Sequence, residues 1–347
     1  MRSVRSDAQG LAGLNEQTLG EALRVCEEVA SRDRSNLYLV SRYLLDRRRY
    51  DAFIAMYAVM RVIDDFVDSI ADVETLTNAR REAHLRELSR WRERILAAHA
   101  GTPQGGPLDV ALCSALSAFP IPLVVWSDFL DAMAYDLGHV RFVTPESFLR
   151  YAEGAAAAPT TIFVFLLTAD ASGDEQPSVE GASPRYEVRD LGDGFDVAAC
   201  GRDLGIFAYI AHILRDVSAD LRLGRRGRIY IPESDLALSG LSEADFRAIV
   251  SAASDDPRWS WLAGLQIRRA RRFERSGVEM AGRRMPAMKP DCRFILSLIV
   301  RLYQDLLGRI EADPHAVLKG RALQSESHLA GLIAAAAQDS GFAPPAL

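Results

Sequence analysis

Cysteine is scarce in this chain. There are four in 347 residues (Cys26, Cys113, Cys200 and Cys292), with no CxxC pair, each inside an apolar helical run. That spacing excludes a disulfide scaffold and predicts reduced, buried thiols in a cytoplasmic protein. Positive charge is also short: 41 Lys and Arg face 47 Asp and Glu, a formal net charge of -6. A nucleic-acid surface needs a basic excess to neutralise phosphates, so no nucleic-acid partner is expected. No stretch reaches ~18 uninterrupted apolar residues, so no transmembrane segment is expected. The N-terminus lacks the apolar core of a signal peptide. There is no GxGxxG fingerprint, no internal repeat and no alternation of strand-like and helix-like runs.

What remains is long helical patterning with 49% hydrophobic residues. Apolar spacing predicts helices over residues 20–32, 36–46, 49–70, 80–100, 108–118 and 122–139. Thr144-Pro145-Glu146 starts another, with Thr as cap and Pro in the first turn, and Pro159 bends or interrupts it. Further helices are expected over 204–221, 242–253, 258–280, 290–312 and 325–338. The expected architecture is all-α: one antiparallel bundle in a single domain, because helices from both halves must meet to build the site. Residues 1–20 read as frayed. Residues 170–196 read as an acidic surface insertion, with at most a short strand at Tyr186–Arg189 and a lid over the site as a further role. The Ala-rich run Leu329–Ala337 reads as a terminal helix, with peripheral membrane contact as its second reading.

Two acidic clusters carry the chemistry. Asp64-Asp65-Phe66-Val67-Asp68 closes the apolar run Ala52–Ile63. Asp216 and Asp220 lie in the run Leu204–Leu221. Positions i and i+4 share a helical face, so Asp64 projects with Asp68 and Asp216 with Asp220, while Asp65 turns about 100° away. Carboxylates at a helix C-terminus are electrostatically disfavoured and costly to bury alone. A hard divalent cation between them resolves both problems, and Mg2+ prefers oxygen ligands shared with phosphate. His212 continues the Asp216–Asp220 stripe, Arg215 adjoins it, and the basic segment Arg222–Arg228 follows.

Tyr57–Asp68, Ile213–Asp220 and Gly227-Arg228-Ile229-Tyr230-Ile231-Pro232 together resemble the squalene/phytoene synthase family. Its pattern is a YAxxRxxDDxxD helix, then an NxxRDxxxD helix running into a GRIYxP loop. The helix Phe294–Ile310 resembles the family's last core helix, so the likeness spans residues 35–320. The resemblance implies an isoprenoid synthase bundle around a deep apolar cavity. It implies condensation of two prenyl diphosphates, C15 or C20, head to head through a cyclopropylcarbinyl diphosphate. On that reading Asp64, Asp68, Asp216 and Asp220 hold Mg2+ (or Mn2+) and act in catalysis with Arg215. Tyr57, Arg61, Asp65, His212, Arg225, Arg228, Tyr230, Tyr303, Lys319 and Arg321 contact substrate. Tyr57, Phe66, Tyr151, Phe163, Phe165, Tyr209 and Tyr303 are candidates for the cavity wall. NADPH use stays open, because family members that use it lack a dinucleotide fingerprint too. A terpene cyclase on the same bundle is the alternative enzyme, and a non-catalytic interaction protein the alternative outside enzymes.

Three positions depart from the pattern. The family Asn four residues before the second motif's first Asp is His212, a nitrogen ligand poorly matched to a hard cation. A hydrogen bond to the diphosphate is its expected role. The early Ser-Phe aligns with Leu37-Tyr38. In the segment Tyr151–Thr160, the second tyrosine of the pattern falls on Gly154.

Overall fold

The computed structural model describes residues 16–32, 35–70, 76–138, 141–171, 185–222, 228–320 and 326–345. The expected fraying of residues 1–20 falls largely on 1–15, outside the described residues, as do residues 172–184 of the acidic insertion. Among the described residues the architecture is all-α. The helices are α1 (Glu16–Ala30), α2 (Asn36–Ser41), α3 (Arg47–Asp68), α4 (Asn78–His99), α5 (Pro107–Ala118), α6 (Leu123–Asp136) and α7 (Pro145–Ala152). After them come α8 (Ala158–Thr168), α9 (Val197–Asp220), α10 (Glu233–Leu238), α11 (Glu243–Ala252), α12 (Pro257–Arg284), α13 (Pro290–Ala312) and α14 (Glu326–Ser340). A single antiparallel pairing, β1 (Asp170–Ala171) with β2 (Tyr186–Glu187), is the only strand pairing described.

The two aspartate helices begin in the same way. The Asp46 side chain accepts the Arg48 and Arg49 amides at the start of α3. Asp196 accepts those of Ala198 and Ala199 at the start of α9. A carboxylate there satisfies orphan N–H groups and favours the positive end of the dipole. α9 packs between α8 and α12 and touches α13, while α3 packs on α1, α5 and α8. The two helices therefore share α8 as a neighbour.

Pro159 does not break its helix. α7 and α8 run on through a π-helical turn, Glu153–Ala157, whose wider winding accommodates the missing proline N–H. Both α6 and α9 pack closely on this turn. A Cβ on Gly154 would meet the Asp128 carbonyl oxygen at 2.1 Å, and one on Gly205 would meet Ala157 Cα at 2.7 Å. No side chain fits at Gly154, so a tyrosine is sterically excluded from the position where the family pattern places its second one.

The sequence reading is corrected at several places. α2 stops at Ser41 rather than continuing to residue 46, and α10 was not expected. The insertion's returning end is not surface. Tyr186 is 4% exposed, stacks on Phe119 at 4.1 Å and donates to Asp46 at 2.9 Å. Arg49, wholly buried, packs its guanidinium by the same two rings and donates to the carbonyls of Leu166 and Ala169 at the end of α8. These contacts gather at the start of α3. Its aspartates lie some eighteen residues further on, roughly 27 Å at 1.5 Å per residue. Where the insertion leaves and rejoins the bundle is thus far from the aspartates, and the stretch on which the lid reading falls, residues 172–184, lies outside the described residues.

Pro145–Thr168 and Val197–Asp220 are long and apolar enough to cross a membrane. Their apolar windows are 72% and 56% buried inside the bundle, and such composition is that of core helices.

Candidate active site

The acids sit at the C-terminal ends of three helices: Asp64, Asp65 and Asp68 on α3, Asp136 on α6, and Asp216 and Asp220 on α9. Arg228 ties these ends together. Its backbone N–H donates to the Asp220 carbonyl at 2.8 Å. Its guanidinium reaches Asp68 at 3.0 Å and the Tyr230 hydroxyl at 3.3 Å. The two clusters, 150 residues apart in sequence, therefore meet around one arginine. Carboxylates gathered at the negative ends of three helix dipoles make a strongly negative mouth, suited to cations.

Each side brings its own counter-charge. Arg61 lies 2.7 Å from Asp65 and 3.5 Å from Asp64. Arg215 grips Asp216 with two nitrogens at 2.6 and 2.7 Å. His212 Nε2 is 2.7 Å from Asp216. Its ring is exposed at the mouth, not sealed in the core. Asp65, turned away from Asp64 and Asp68 as the helical geometry requires, is held by Arg61.

The electrostatics separate these acids. Burial raises Asp64, helped by the neighbouring Asp68 charge and opposed by Arg61, to about 6. Its side chain is still 39% exposed, so water tempers the effect. Burial and Asp216 raise Asp220 to about 6. Burial pulls Asp216 upward too, but hydrogen bonds from Arg215 and His212 outweigh it and hold that carboxyl well below its usual range.

Beneath Asp216 lies an apolar cavity whose empty space, open solvent at its mouth included, is about 470 Å³. Phe163 and Val164 of α8, Phe207 and Ala208 of α9, and Leu296 and Tyr303 of α13 line it, with Leu37 of α2. Ala208, His212 and Asp216 follow one stripe of α9, so wall and acid share a helix face. Of the expected wall residues, Phe163 and Tyr303 do line it. Phe165 is core, 8% exposed. Phe66 stacks on His84 at 4.9 Å. Tyr57 stands behind the wall, stacked on Phe53 at 5.4 Å and hydrogen-bonded to Ser35 at 2.6 Å.

Tyr151, Tyr209 and Tyr230 form a second group with Phe142 and Phe148. Their ring centroids lie 5.1–6.3 Å apart. Tyr151 donates to Asp136 at 2.8 Å. Asp136 is 8% exposed. Burial raises its carboxyl to about 7, against the pull of Arg228 and Tyr151 and with the push of Asp68 and Asp64. Sequence reasoning missed Asp136. The one partial signal was its place at a helix C-terminus, where a carboxylate is electrostatically disfavoured, but Asp128 and Asp131 on the same helix do not let that signal single it out.

Lys319 has a different partner, Asp255 at 3.0 Å on the loop before α12, and the structure does not bring it to either cluster. Arg225 and Arg321 lie outside the described residues. At the second departure, Leu37 lines the cavity while the Tyr38 hydroxyl turns to Glu27 at 2.8 Å. Ser35 and Asn36 supply polar groups there instead, Ser35 to Tyr57 and Asn36 to Tyr303.

No three His, Cys, Asp or Glu side chains among the described residues close on one point as a complete metal cage. The donor set still fits Mg2+, which usually takes one or two carboxylates and completes its shell with water and substrate phosphate.

Comparison with known proteins agrees with this geometry. A family model described as squalene/phytoene synthase matches residues 30–328. The chain is 28% identical over 305 residues to a phytoene synthase of Arthrospira platensis, covering 88% of this chain and 89% of the relative. It is 28% identical over 306 residues to a 15-cis-phytoene synthase of Synechococcus elongatus, with the same coverage. A dehydrosqualene synthase structure superposes with a TM-score of 0.71 at 19% identity, covering 93% of this chain and 98% of that one. A squalene synthase from Alicyclobacillus acidocaldarius superposes with a TM-score of 0.66 at 18% identity, covering 88% and 98%.

Proposed function

Because the chain belongs to the squalene/phytoene synthase family, we propose that it is a prenyl transferase condensing two prenyl diphosphates head to head. The observation that carries this is the meeting of the α3 and α9 carboxylates above an apolar cavity. Diphosphate and metal would sit at the mouth and the hydrocarbon chain below. Asp64 and Asp68 on one side, and Asp216 and Asp220 on the other, would hold Mg2+, with Mn2+ an acceptable substitute for the same oxygen donors. When bound, the divalent cations supply positive charge that stabilises the departing diphosphate.

The chain's own residues supply the rest. Arg61, Arg215 and Arg228 already stand beside these carboxylates, where their forks can turn to diphosphate oxygens. His212, exposed beside Asp216, can donate to the same group. The C1–O bond of one substrate breaks, and the resulting allylic cation is attacked by the double bond of the second. Loss of a proton then closes the cyclopropane of a cyclopropylcarbinyl diphosphate. Water must be kept from the cation, or a prenyl alcohol forms. The wall of Leu37, Phe163, Phe207 and Leu296 serves that exclusion. Peripheral contact with a membrane would let the apolar product leave, and a cytoplasmic enzyme could make such contact without a spanning helix.

The test is incubation with C10, C15 and C20 prenyl diphosphates and Mg2+, with and without NADPH, and identification of products by mass spectrometry. A coupled hydrocarbon or cyclopropyl diphosphate supports the proposal. A cyclised product of a single substrate would move the chain to the cyclase reading, and no conversion of any substrate would leave the interaction-protein reading.

A further inference from the structure

The α6 end contributes a carboxylate that the metal–diphosphate chemistry does not require. Asp136 is more than nine-tenths buried and faces Tyr151 rather than the mouth. The Tyr151 hydroxyl donates to its Oδ2 at 2.8 Å, and the Tyr209 ring lies beside that of Tyr151, centroids 6.3 Å apart. Arg228, Asp68 and Asp64 are near enough to act on its charge. The Tyr151 phenol therefore lies in a ring-lined recess below the α3 aspartates, between α6, α7 and α9. Gly154, one turn later, cannot carry a side chain. Tyr151 is thus the phenol that this segment presents.

We propose that Asp136 is a positioning residue that fixes the Tyr151 phenol beneath the diphosphate site. The inference rests on the prenyl transferase reading. A phenol whose proton is committed to Asp136 turns its oxygen lone pairs away from that carboxylate, toward the reacting carbons. It presents the negative end of its dipole to an allylic cation, and such preorganised dipoles stabilise charge at no reorganisation cost. A phenol free to rotate loses that orientation, and a displacement of about 1 Å can cost about 100-fold in rate.

The experiment is a double-mutant cycle on Asp136→Ala and Tyr151→Phe, with Asp136→Asn as the variant that keeps an acceptor oxygen. Steady-state rates, the ratio of coupled product to prenyl alcohol, and binding of inorganic pyrophosphate with Mg2+ are measured together. Asp136→Ala should lower kcat by about 100-fold, leave KM and pyrophosphate binding unchanged, and shift product toward alcohol. The double variant should be no slower than Tyr151→Phe alone, because both changes remove the same interaction. Asp136→Asn should recover most of kcat and the wild-type product ratio. That result decides the matter even if the alanine variant does not fold. Additive losses, a parallel loss of pyrophosphate binding, or an Asp136→Asn variant as slow as Tyr151→Phe would overturn the inference. A wild-type protein that couples no prenyl diphosphate would overturn the prenyl transferase reading and this inference together.

Discussion

At the scale of the residue, one side-chain type does opposite things within this mouth. Asp216 is held ionised by Arg215 and His212, whereas burial raises Asp136 to about 7 and Asp220 to about 6. Ionised carboxylates at Asp64 and Asp216 are what a metal needs. Asp64→Asn and Asp216→Asn should each cut turnover by about 100-fold or more with the thermal transition nearly unmoved. Near-wild-type rates in either variant would remove those residues from the mechanism. His212 is exposed and bonded to Asp216. If it donates to the diphosphate, His212→Asn lowers Mg2+-dependent turnover; equal or faster turnover would mean that the asparagine role is only relaxed here.

The same shifts set a pH dependence of stability. The folded chain binds protons at Asp136 and Asp220 between pH ~7 and ~4 that the unfolded chain does not, so stability falls as pH rises through that window. Asp216, with its lowered value, opposes this only below its unfolded value near 4. In metal-free buffer, calorimetry should show Tm rising as pH is lowered from 8 to 5. A Tm that falls steadily across that interval would contradict the assignment.

At the scale of the element, two helices owe their form to contacts that local pattern does not encode. The i, i+4 spacing of Asp64 with Asp68 and of Asp216 with Asp220 was enough to pair them along α3 and α9, and the structure brings the two pairs together around Arg228. The Thr144–Pro145 start of α7 was legible as well, and the structure shows Thr144 capping Ser147 there. The π-helical turn was not. It follows from Gly154 meeting the Asp128 carbonyl across the α6 interface, a tertiary contact that no periodicity announces. Gly154→Ala should therefore be costly, about 3 kcal/mol for an overpacked contact with no room to relax. A urea midpoint within experimental error of wild type would show that α6 can yield. Arg49 belongs to the same class. Nothing in the run Arg47-Arg48-Arg49 marks its last member as the residue that satisfies the last carbonyls of α8.

At the scale of the whole molecule, the bundle brings three helix ends to one mouth and holds Tyr186, where the insertion returns, at the other end of α3. The all-α architecture followed from long amphipathic runs, and the site from two motifs whose chemistry makes sense only in company. Asp136 escaped because it is one of three aspartates on α6, with Asp128 and Asp131, and their spacing does not say which one meets the other acids until its neighbours in space are known. Lys319 was drawn to the site by charge and position near the C-terminus, but Asp255 is the carboxylate within its reach. Sequence separation carries no information about which of several acids a flexible lysine meets.

The central claim is that carboxylates of α3 and α9 hold a cation–diphosphate at the mouth of the apolar cavity. A crystal structure with Mn2+ and an unreactive thiolo analogue of a prenyl diphosphate tests it directly, because anomalous scattering locates the metal independently of the ligand. The account predicts anomalous peaks beside Asp64 and Asp68 and beside Asp216 and Asp220, with the prenyl chain running down past Ala208 toward Phe163. Metal bound elsewhere, or a prenyl chain lying outside the cavity, would contradict it.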